Sequence, residues 1–321
     1  MAESNVKIKP EISVVMSVRN GESYLSEAIE SILNQSFEAF EFIIVNDGST
    51  DNTAKVLRNF ANQDLRIKLI ELEASGLPVA LNTALNYASA PFIARMDADD
   101  ISLPLRFSKQ LEYLKRHEEI AVLGSAAIII NDTGQKRKMK RMPTKPSEVK
   151  KALPHKCCII HPSVMIRRKA LQEIGKYSTD YKIAEDYDLW LRISDSSGLA
   201  NLRQPLIELR RHSKQVTRTN SNNIIMYSVS AVIDHLLRKH DIASDFDNTE
   251  KFNVDNIAAR LLSLYDLQLS QKDLRTINTN AIRFFRRAAL DKVTSTKLDA
   301  RIVQFSNFRE RIKHQLYKSG L

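Results

Sequence analysis

The chain has 321 residues and a formal net charge of +10, and 43% of its residues are hydrophobic. This length supports one large core, or one domain with a smaller appendage. The sequence has no apolar run of about 20 residues, which excludes a membrane-spanning helix, and the opening MAESNVKIKPE lacks the apolar stretch of a secretory signal. Its two cysteines, Cys157 and Cys158, are adjacent and form no disulfide framework, so we expect small core residues in a cytoplasmic protein.

Short β-rich apolar runs alternate with helical patterns over the first 130 residues. Residues 12–18 predict a buried strand, and the spacing of Leu25, Ile29 and Ile32 predicts a helix over residues 22–35. Strands that are apolar throughout and separated by helices are typical of a parallel sheet covered on both faces. The expected fold class is therefore α/β, with a mostly parallel central sheet. The same alternation predicts strands at 42–45, 67–72 and 91–96 and helices at 51–62 and 76–88.

The second half of the chain has a different pattern. We expect an acidic helix at 185–193, a strand near 206–210 and, after about residue 220, mainly helices. We therefore divide the chain into a sheet-containing domain, residues 1–220, and a helical C-terminal region, residues 221–321. The helical segments predicted in that region are 224–239, 252–267, 274–290 and 295–317.

Positive charge is concentrated in two segments, residues 136–151 and 281–321. Gly134 to Gln172 holds twelve Lys and Arg residues against one acid, and Ala281 to Leu321 holds ten against three. Such clusters attract anionic lipid, nucleic acid or phosphorylated substrates, or they are solvated surfaces without a partner. The motifs of nucleic-acid recognition are absent, so we expect no nucleic acid as a partner.

Polar and acidic residues follow three of the predicted strands. The first strand ends at Val18-Arg19-Asn20-Gly21 and the second at Asn46-Asp47-Gly48-Ser49. The fourth ends at Asp97-Ala98-Asp99-Asp100. Ligands of parallel sheets bind outside the carboxyl ends of the strands, so one site would hold all three ends. A turn explains the second segment well, except for the acid Asp47, which could accept hydrogen bonds from a nucleobase or a ribose.

The acidic triplet predicts a cation site. Asp97 and Asp99 alternate along an extended loop, so both carboxylates can point toward one place, whereas Asp100 suits the start of a helix that runs from about Pro104. Mg²⁺ and Mn²⁺ prefer oxygen ligands, and Mg²⁺ is often held by one or two carboxylates together with substrate phosphates. We therefore expect a divalent metal that carries a diphosphate.

Six fragments in this order resemble the family-2 glycosyltransferases of the GT-A fold. They are SVVMSVRNGESYLSEAIESILNQSF, EFIIVNDGSTD, ARMDADDISLPLRF, HPSVMIRR, EDYDLWLR and RRHS, and they span roughly residues 11–215. Each fragment alone is weak, but their joint order and spacing is specific. The MDADD form, a DxD motif, resembles bacterial members that build capsular, exopolysaccharide or lipopolysaccharide sugars. The resemblance implies a GT-A domain with a C-terminal helical extension.

The resemblance also implies roles for individual residues. Asp47 would bind the uracil or the ribose of a UDP-sugar. Asp99 would ligate the metal, Mn²⁺ or Mg²⁺, with His212 completing its shell, and Asp186 would be the catalytic base. The donor would also be bound at Val18, Arg19, Glu22, Asp97 and Ala98, and His161, Glu185 and Trp190 would lie on the acceptor side.

Each of these roles has a simpler alternative. Glu185 and Asp186 could be first-turn acids of the helix that follows. His212 could be a solvated or a core histidine. Trp190 could pack in the core. The order of the preceding motifs favours the catalytic interpretation for Asp186, and the alternatives for His212 and Trp190 stay open.

One position departs from the family pattern. Many relatives carry Arg-Asn in the loop that leads to the third helix, where the arginine can contact the pyrophosphate, whereas this chain has Leu81-Asn82. That contact is therefore missing, or it comes from Arg66, Arg95 or Arg106.

The expected function is inverting transfer of a sugar from a nucleotide donor, a UDP-hexose or UDP-N-acetylhexosamine, to a hydroxyl of a growing, often lipid-linked, bacterial surface glycan. The two basic segments would support peripheral membrane association, and the C-terminal helices could equally form a homodimer surface or cover the sheet. Three rivals remain: a sugar nucleotidyltransferase, a non-catalytic nucleotide-sugar-binding protein and a basic nucleic-acid-binding protein. The first would need a glycine-rich, lysine-bearing opening loop in place of Val18 to Glu22.

Overall fold

A computed structural model of the protein describes residues 9–213, 215, 221–242, 269–277 and 279–280, and the separate positions 252, 256, 257, 260, 261 and 264. The chain divides into two compact units, Met1–Gln215 and Val216–Leu321. None of the helices in the described stretches combines the length and the hydropathy needed to span a bilayer.

Four parallel strands form one half of the sheet in the first unit. β1 (Ile12–Val18) lies between β2 (Phe40–Asp47) and β4 (Phe92–Asp97), and β3 (Ile67–Leu72) pairs with β2. Val18 is opposite Asn46 in β2, and Ser17 is opposite Asp97 in β4. The carboxyl ends of these three strands therefore lie side by side.

The other half of the sheet is mixed. The short β8 (Met165–Arg167) pairs antiparallel with both β4 and β6 (Ile120–Asn131). β6 then pairs in parallel with β9 (Gly198–Arg211). β5 (Ile101–Ser102) pairs antiparallel with β9, and β7 (Lys136–Lys140) pairs antiparallel with β6. Because β9 returns antiparallel to β5, its end lies beside the end of β4.

Helices cover both faces of the sheet. Alternate residues of β1, such as Val14 and Met16, pack in one apolar cluster with Ile29 of the first helix and Phe107 of the fourth. The third helix contacts β1 and β2 on the other face. The helices of this unit are α1 (Leu25–Leu33), α2 (Thr53–Gln63), α3 (Leu77–Tyr87), α4 (Arg106–Arg116), α5 (Pro146–Ala152), α6 (Arg168–Ile174) and α7 (Glu185–Ser194).

The second unit contains one long described helix, α8 (Ser221–Lys239). The buried guanidinium of Arg260 donates to Ser230 Oγ at 2.8 Å and pairs with Asp234, so this helix is fastened by an internal ion pair. The predicted helix at 224–239 is confirmed. Much of 252–267 and 274–290, and all of 295–317 and of the basic segment 281–321, lie outside the described residues.

The fold class expected from the sequence is confirmed: an α/β unit with a mostly parallel sheet between helices. Two long strands differ from expectation. β6, a strand of twelve residues, was not predicted, and β9 is far longer than the expected strand at 206–210. The predicted domain boundary at residue 220 stays a prediction. The contacts between residues divide the chain after Gln215.

Candidate active site

The acidic triplet lies at the carboxyl end of β4, at the edge where β1 and β2 also end. Carboxylate oxygens of Asp97, Asp99 and Asp100 all lie within 4.8 Å of one another. Asp97 and Asp99 are partly exposed, whereas Asp100 is buried. Three like charges at this spacing repel one another, so the cluster favours a positive partner.

Asp99 is held by the chain that follows β9. His212 Nε2 lies 2.9 Å from Asp99 Oδ2, and Gln215 Nε2 donates to the same oxygen at 3.3 Å. Arg210 Nε donates to the Asp99 carbonyl at 2.9 Å, and its guanidinium also pairs with Glu27 of α1. The structure therefore brings the two predicted metal ligands, Asp99 and His212, together.

Asp100 does not start a helix, which corrects the expectation from the sequence. The following helix, α4, begins at Arg106 with Leu105 before it, and its first turn contains no acid. Asp100 Oδ1 instead accepts a hydrogen bond from the backbone N–H of Arg210 at 2.8 Å. Its buried Oδ2 has no hydrogen-bond partner among the described residues. Burial, and secondly the charges of Asp99 and Asp97, raise the pKa of Asp100 well above its usual value.

The residues fit a divalent cation. The donor set consists of hard carboxylate oxygens, which Mg²⁺ and Mn²⁺ prefer, and an imidazole lies beside them. Asp100 Oδ2, which has no hydrogen-bond partner among the described residues, is a buried carboxyl oxygen close to the other two carboxylates. A cation would remove the mutual repulsion of the triplet.

Arg95 is the buried cation of the site. Its side chain is 3% exposed and forms an ion pair with Asp97, two residues further along β4. Of the three arginines considered for the missing pyrophosphate contact, only Arg95 adjoins the triplet through an ion pair. Arg66 binds Asp64 and the Leu33 carbonyl before β3, and Arg106 is fully buried against the Arg95 and Val164 carbonyls.

Asp47 ends β2 and is 3% exposed. Its Oδ1 accepts hydrogen bonds from the Ser75 backbone N–H at 2.7 Å and the Ser75 hydroxyl at 2.8 Å, and its Oδ2 accepts one from the Gly76 N–H at 3.0 Å. Gly76 has φ +92°, a conformation that favours glycine. Asp47 therefore fixes the loop before α3, a role that the sequence did not predict, and its binding to a nucleoside stays a prediction.

Hydrogen bonds join the loops that follow β1 and β2. Glu22 Oε2 accepts hydrogen bonds from both the backbone N–H and the side-chain amide of Asn52 at 2.9 Å. The Gly21 N–H donates to Thr53 Oγ1 at 2.9 Å. Val18 is buried at the strand end and Arg19 is exposed beside it. Glu22 thus has a structural partner already, and the predicted nucleotide contacts of Val18, Arg19, Glu22 and Ala98 stay predictions.

Glu185 and Asp186 open α7. The preceding residue, Ala184, has φ +65°, in the left-handed region that non-glycine residues rarely adopt. Burial, and secondly the charge of Asp186, raise the pKa of Glu185 to about 8. Burial also raises the pKa of Asp186, which is the more exposed of the two. Near neutral pH, Glu185 therefore holds a proton and adds no second negative charge beside Asp186.

His161 lies against this pair. Its Nδ1 is 3.7 Å from Glu185 Oε1, and its Nε2 is 2.8 Å from the Tyr177 hydroxyl. Asn82 in turn clamps the backbone of Tyr177, donating to its carbonyl at 2.8 Å and accepting from its N–H at 3.0 Å. Burial, and secondly the charge of Arg95, lower the pKa of His161 well below its usual value, so the imidazole is neutral.

Trp190 corrects another expectation. Its side chain is 0% exposed, and its ring packs edge-on against His161 with centroids 5.9 Å apart. No surface of Trp190 is left for an acceptor to contact, so the structure places it in the core. Trp190 therefore supports His161 by packing against its ring.

The contacts between Asn82 and Tyr177 were not predicted, because they join residues 95 positions apart.

This site defines a sugar-transferring enzyme of the GT-A class: acids gather at the carboxyl ends of parallel strands, and a second carboxylate pair opens the nearby helix α7. The chain belongs to glycosyl transferase family 2, whose sequence profile matches residues 13–175. The family and the fold implied by the resemblance are confirmed.

Individual relatives agree with this assignment. The O-antigen biosynthesis glycosyltransferase WbnJ of Escherichia coli is 35% identical over 67% of this chain and 85% of its own length. An E. coli UDP-Gal:alpha-D-GlcNAc-diphosphoundecaprenol beta-1,3-galactosyltransferase is 28% identical over 70% of this chain and 81% of its own length. The crystal structure of S. aureus TarS 1-349 with UDP-GlcNAc matches with a TM-score of 0.61 at 18% identity. That match covers 97% of this chain and 92% of TarS 1-349, and it supports the fold.

Proposed function

We propose that the protein is a metal-dependent, inverting glycosyltransferase that moves a hexose or N-acetylhexosamine from a UDP-linked donor to a hydroxyl of a growing bacterial surface glycan. The proposal rests mainly on one observation. Carboxylate oxygens of Asp97, Asp99 and Asp100 lie within 4.8 Å of one another at the carboxyl end of β4, and His212 Nε2 lies 2.9 Å from Asp99 Oδ2.

The strand-end acids would handle the donor. Asp47, Val18, Arg19 and Glu22 stand at the ends of β1 and β2, where a nucleoside would bind. Asp99 and His212 would hold Mn²⁺ or Mg²⁺, which neutralises the charge of the leaving diphosphate when bound. Arg95 holds Asp97 by an ion pair and so fixes the carboxylate nearest the donor sugar.

Asp186 would be the base. In a single displacement, the acceptor oxygen bonds to the anomeric carbon as the bond to the phosphate oxygen breaks, and the diphosphate leaves with that electron pair. The acceptor hydroxyl proton passes to the Asp186 carboxylate, which requires that carboxylate to be ionised. Glu185 beside it is protonated at neutral pH, so it places no second negative charge next to Asp186.

The acceptor assignment follows from the relatives. One acts in O-antigen biosynthesis, and another uses a diphosphoundecaprenol-linked sugar. We propose a lipid-linked glycan as the acceptor here as well. His161 and Glu185 lie beside the base, on the side that the acceptor would occupy.

We also propose peripheral docking on the inner face of the cytoplasmic membrane through segment 136–151. Arg137, Lys138 and Arg141 are exposed there, beside the exposed Met139. Replacing these three cations by Gln should release the protein from vesicles containing anionic lipid but not change donor hydrolysis. Unchanged sedimentation with the vesicles would refute this docking. Homodimer formation stays a prediction without further support.

A donor panel tests the central proposal. UDP-, GDP- and dTDP-sugars would be incubated with Mn²⁺ or Mg²⁺, and release of the nucleotide by slow hydrolysis would be measured. We expect preferential UDP release, lost in Asp99→Asn and kept in Asp132→Asn, which removes a carboxylate from the turn between β6 and β7. If the protein neither hydrolyses nor binds any of the sugar nucleotides, the proposal is refuted.

A further inference from the structure

The side chain of Arg210, near the end of β9, joins three separate parts of the chain. Its Nε donates to the Asp99 carbonyl at 2.9 Å, its Nη1 donates to the Asp132 carbonyl at 3.1 Å, and its Nη2 pairs with Glu27 of α1. The side chain is only 2% exposed, and each of its three nitrogen atoms has a partner. A buried guanidinium engaged in this way holds the chain around it and offers little to a phosphate.

The ring of Tyr24, the residue before α1, contacts the same segment. Its centroid lies 4.5 Å from the guanidinium carbon of Arg210 and 5.1 Å from the centroid of the His212 ring. The first contact is a cation–π interaction, and the second packs the phenol ring against the imidazole at an interplanar angle of 40°. Both rings are half-buried. Tyr24 therefore limits the orientations that the imidazole of His212 can take.

These contacts converge on the two proposed metal ligands. Arg210 holds the backbone of Asp99, and Tyr24 packs against the ring of His212. His212 Nε2 lies 2.9 Å from Asp99 Oδ2, so a shift of either residue would separate the two donor atoms. The partners that orient metal ligands matter for affinity, and the loss of one costs about ten- to a hundredfold.

The start of α1 links this region to the loop that follows β1. Tyr24 and Glu27 are three positions apart, so their side chains lie on one face of the helix. The backbone N–H of Tyr24 donates to the Gly21 carbonyl at 3.1 Å. One turn of helix therefore connects the loop expected to bind the nucleotide with the residues expected to bind the metal.

We propose that Tyr24 and Glu27 are positioning residues for the metal site. Tyr24 orients the imidazole of His212. Glu27 acts through Arg210, which holds the Asp99 carbonyl. The proposal rests on the proposed function, since it takes Asp99 and His212 as the metal ligands. It gives the start of α1 control over metal affinity while both ligands stay intact.

Direct measurement of Mn²⁺ binding tests this role. Mn²⁺ would be titrated at a fixed concentration of UDP, with correction for UDP alone, and free Mn²⁺ would be followed by its electron paramagnetic resonance signal. Tyr24→Leu and Glu27→Gln should each weaken Mn²⁺ binding about tenfold. Tyr24→Phe keeps the ring and should bind like the unmodified protein. Glu30→Gln removes an exposed acid one turn further along α1 and is the matched control for Glu27→Gln.

Measurements without metal separate a positioning role from general damage to the site. The affinity for UDP, measured by calorimetry without metal, should be the same in Tyr24→Leu, in Glu27→Gln and in the unmodified protein. Unchanged Mn²⁺ binding in both variants would overturn the proposal. A loss of UDP affinity as large as the loss of Mn²⁺ binding would overturn it too. Equal losses in Tyr24→Phe and Tyr24→Leu would assign the effect to the hydroxyl and contradict the role of the ring.

Donor hydrolysis separates this proposal from the proposed function. If the unmodified protein binds Mn²⁺ through Asp99 but neither hydrolyses nor binds any sugar nucleotide, the proposed function fails, and the Mn²⁺ titrations decide the positioning role by themselves. If it hydrolyses sugar nucleotides and binds no Mn²⁺, the positioning role is refuted and sugar transfer is not.

Discussion

His212 Nε2 lies 2.9 Å from Asp99 Oδ2, although the two residues are 113 positions apart. Strand register explains the contact. β5 and β9 are antiparallel, with Ile101 opposite Glu208, so the chain after β9 returns along the end of β4. The backbone N–H of Arg210 then donates to Asp100, which fixes the approach. The two proposed metal ligands are therefore positioned by the sheet itself.

Metal dependence should follow from this contact. Asp99→Asn keeps the side-chain shape but loses the charge, so we expect metal-stimulated donor hydrolysis to fall about a hundredfold. His212→Gln should weaken the apparent affinity for Mn²⁺ about tenfold, measured by titrating Mn²⁺ against hydrolysis. His117→Gln, at the end of α4, is the control. An unchanged Mn²⁺ titration in His212→Gln would show that His212 only orients Asp99.

The base assignment predicts a separation of chemistry from binding. Asp186→Asn should reduce transfer to the acceptor by about 10²- to 10⁴-fold, because the amide cannot take the hydroxyl proton. The affinity for the nucleotide, measured by calorimetry, should stay the same. Asp195→Asn removes an exposed carboxylate from the other end of α7 and should leave both quantities unchanged. Equal losses of binding and transfer in Asp186→Asn would argue against a base.

Three strands of the parallel half, β1, β2 and β4, could be predicted from sequence because they are buried on both faces. The predicted bounds of the apolar run Ile12–Val18 agree with the structure. The predicted bounds of Ile67–Leu72 agree as well. β5, β7 and β8 have two, five and three residues, too few to show a period. They exist because distant strands supply their hydrogen bonds, and a local pattern carries no record of those partners.

The site divides along similar lines. Asp47, Asp97, Asp99 and Asp186 could be found because each is an acid at the end of a strand or the start of a helix. Their partners could not. Ser75 binds Asp47 across 28 positions, and the contacts of Asn82 with Tyr177 depend on how α3 packs near the segment before α7. The acids of the site could therefore be located from the sequence, whereas their hydrogen-bond partners depend on the fold.

The ion pair between Arg95 and Asp97 should matter for stability. Arg95 is buried, so Arg95→Gln leaves Asp97 without its counter-charge, and breaking such a pair costs about 3 kcal/mol. Urea unfolding would measure the loss, and Arg95→Lys should lose less because it keeps the charge. In a double-mutant cycle with Asp97→Asn, we expect a coupling energy of about 1 kcal/mol or more. Additive effects would mean that Arg95 stabilises the protein through other contacts.

The raised pKa of Glu185 predicts a pH-dependent stability. The folded protein keeps a proton on Glu185 up to about pH 8, while the unfolded chain releases it near 4.5, so stability is lost as the pH rises through this window. His161 acts in the opposite direction only below its ordinary value of 6.5, since its pKa is lowered on folding. From pH 6.5 to about pH 8, the contribution of Glu185 to the free energy of unfolding should decline by about 2 kcal/mol.

Glu185→Gln isolates this contribution, because Gln is neutral at every pH and nearly the same size. The free energy of unfolding, measured in urea from about pH 6.5 to about pH 8, should fall less steeply in Glu185→Gln than in the unmodified protein. Glu173→Gln, at an exposed position of α6, should follow the unmodified curve. Parallel curves for Glu185→Gln and the unmodified protein would show that Glu185 is ionised in the fold, and Asp186 would then act as a base beside a second negative charge.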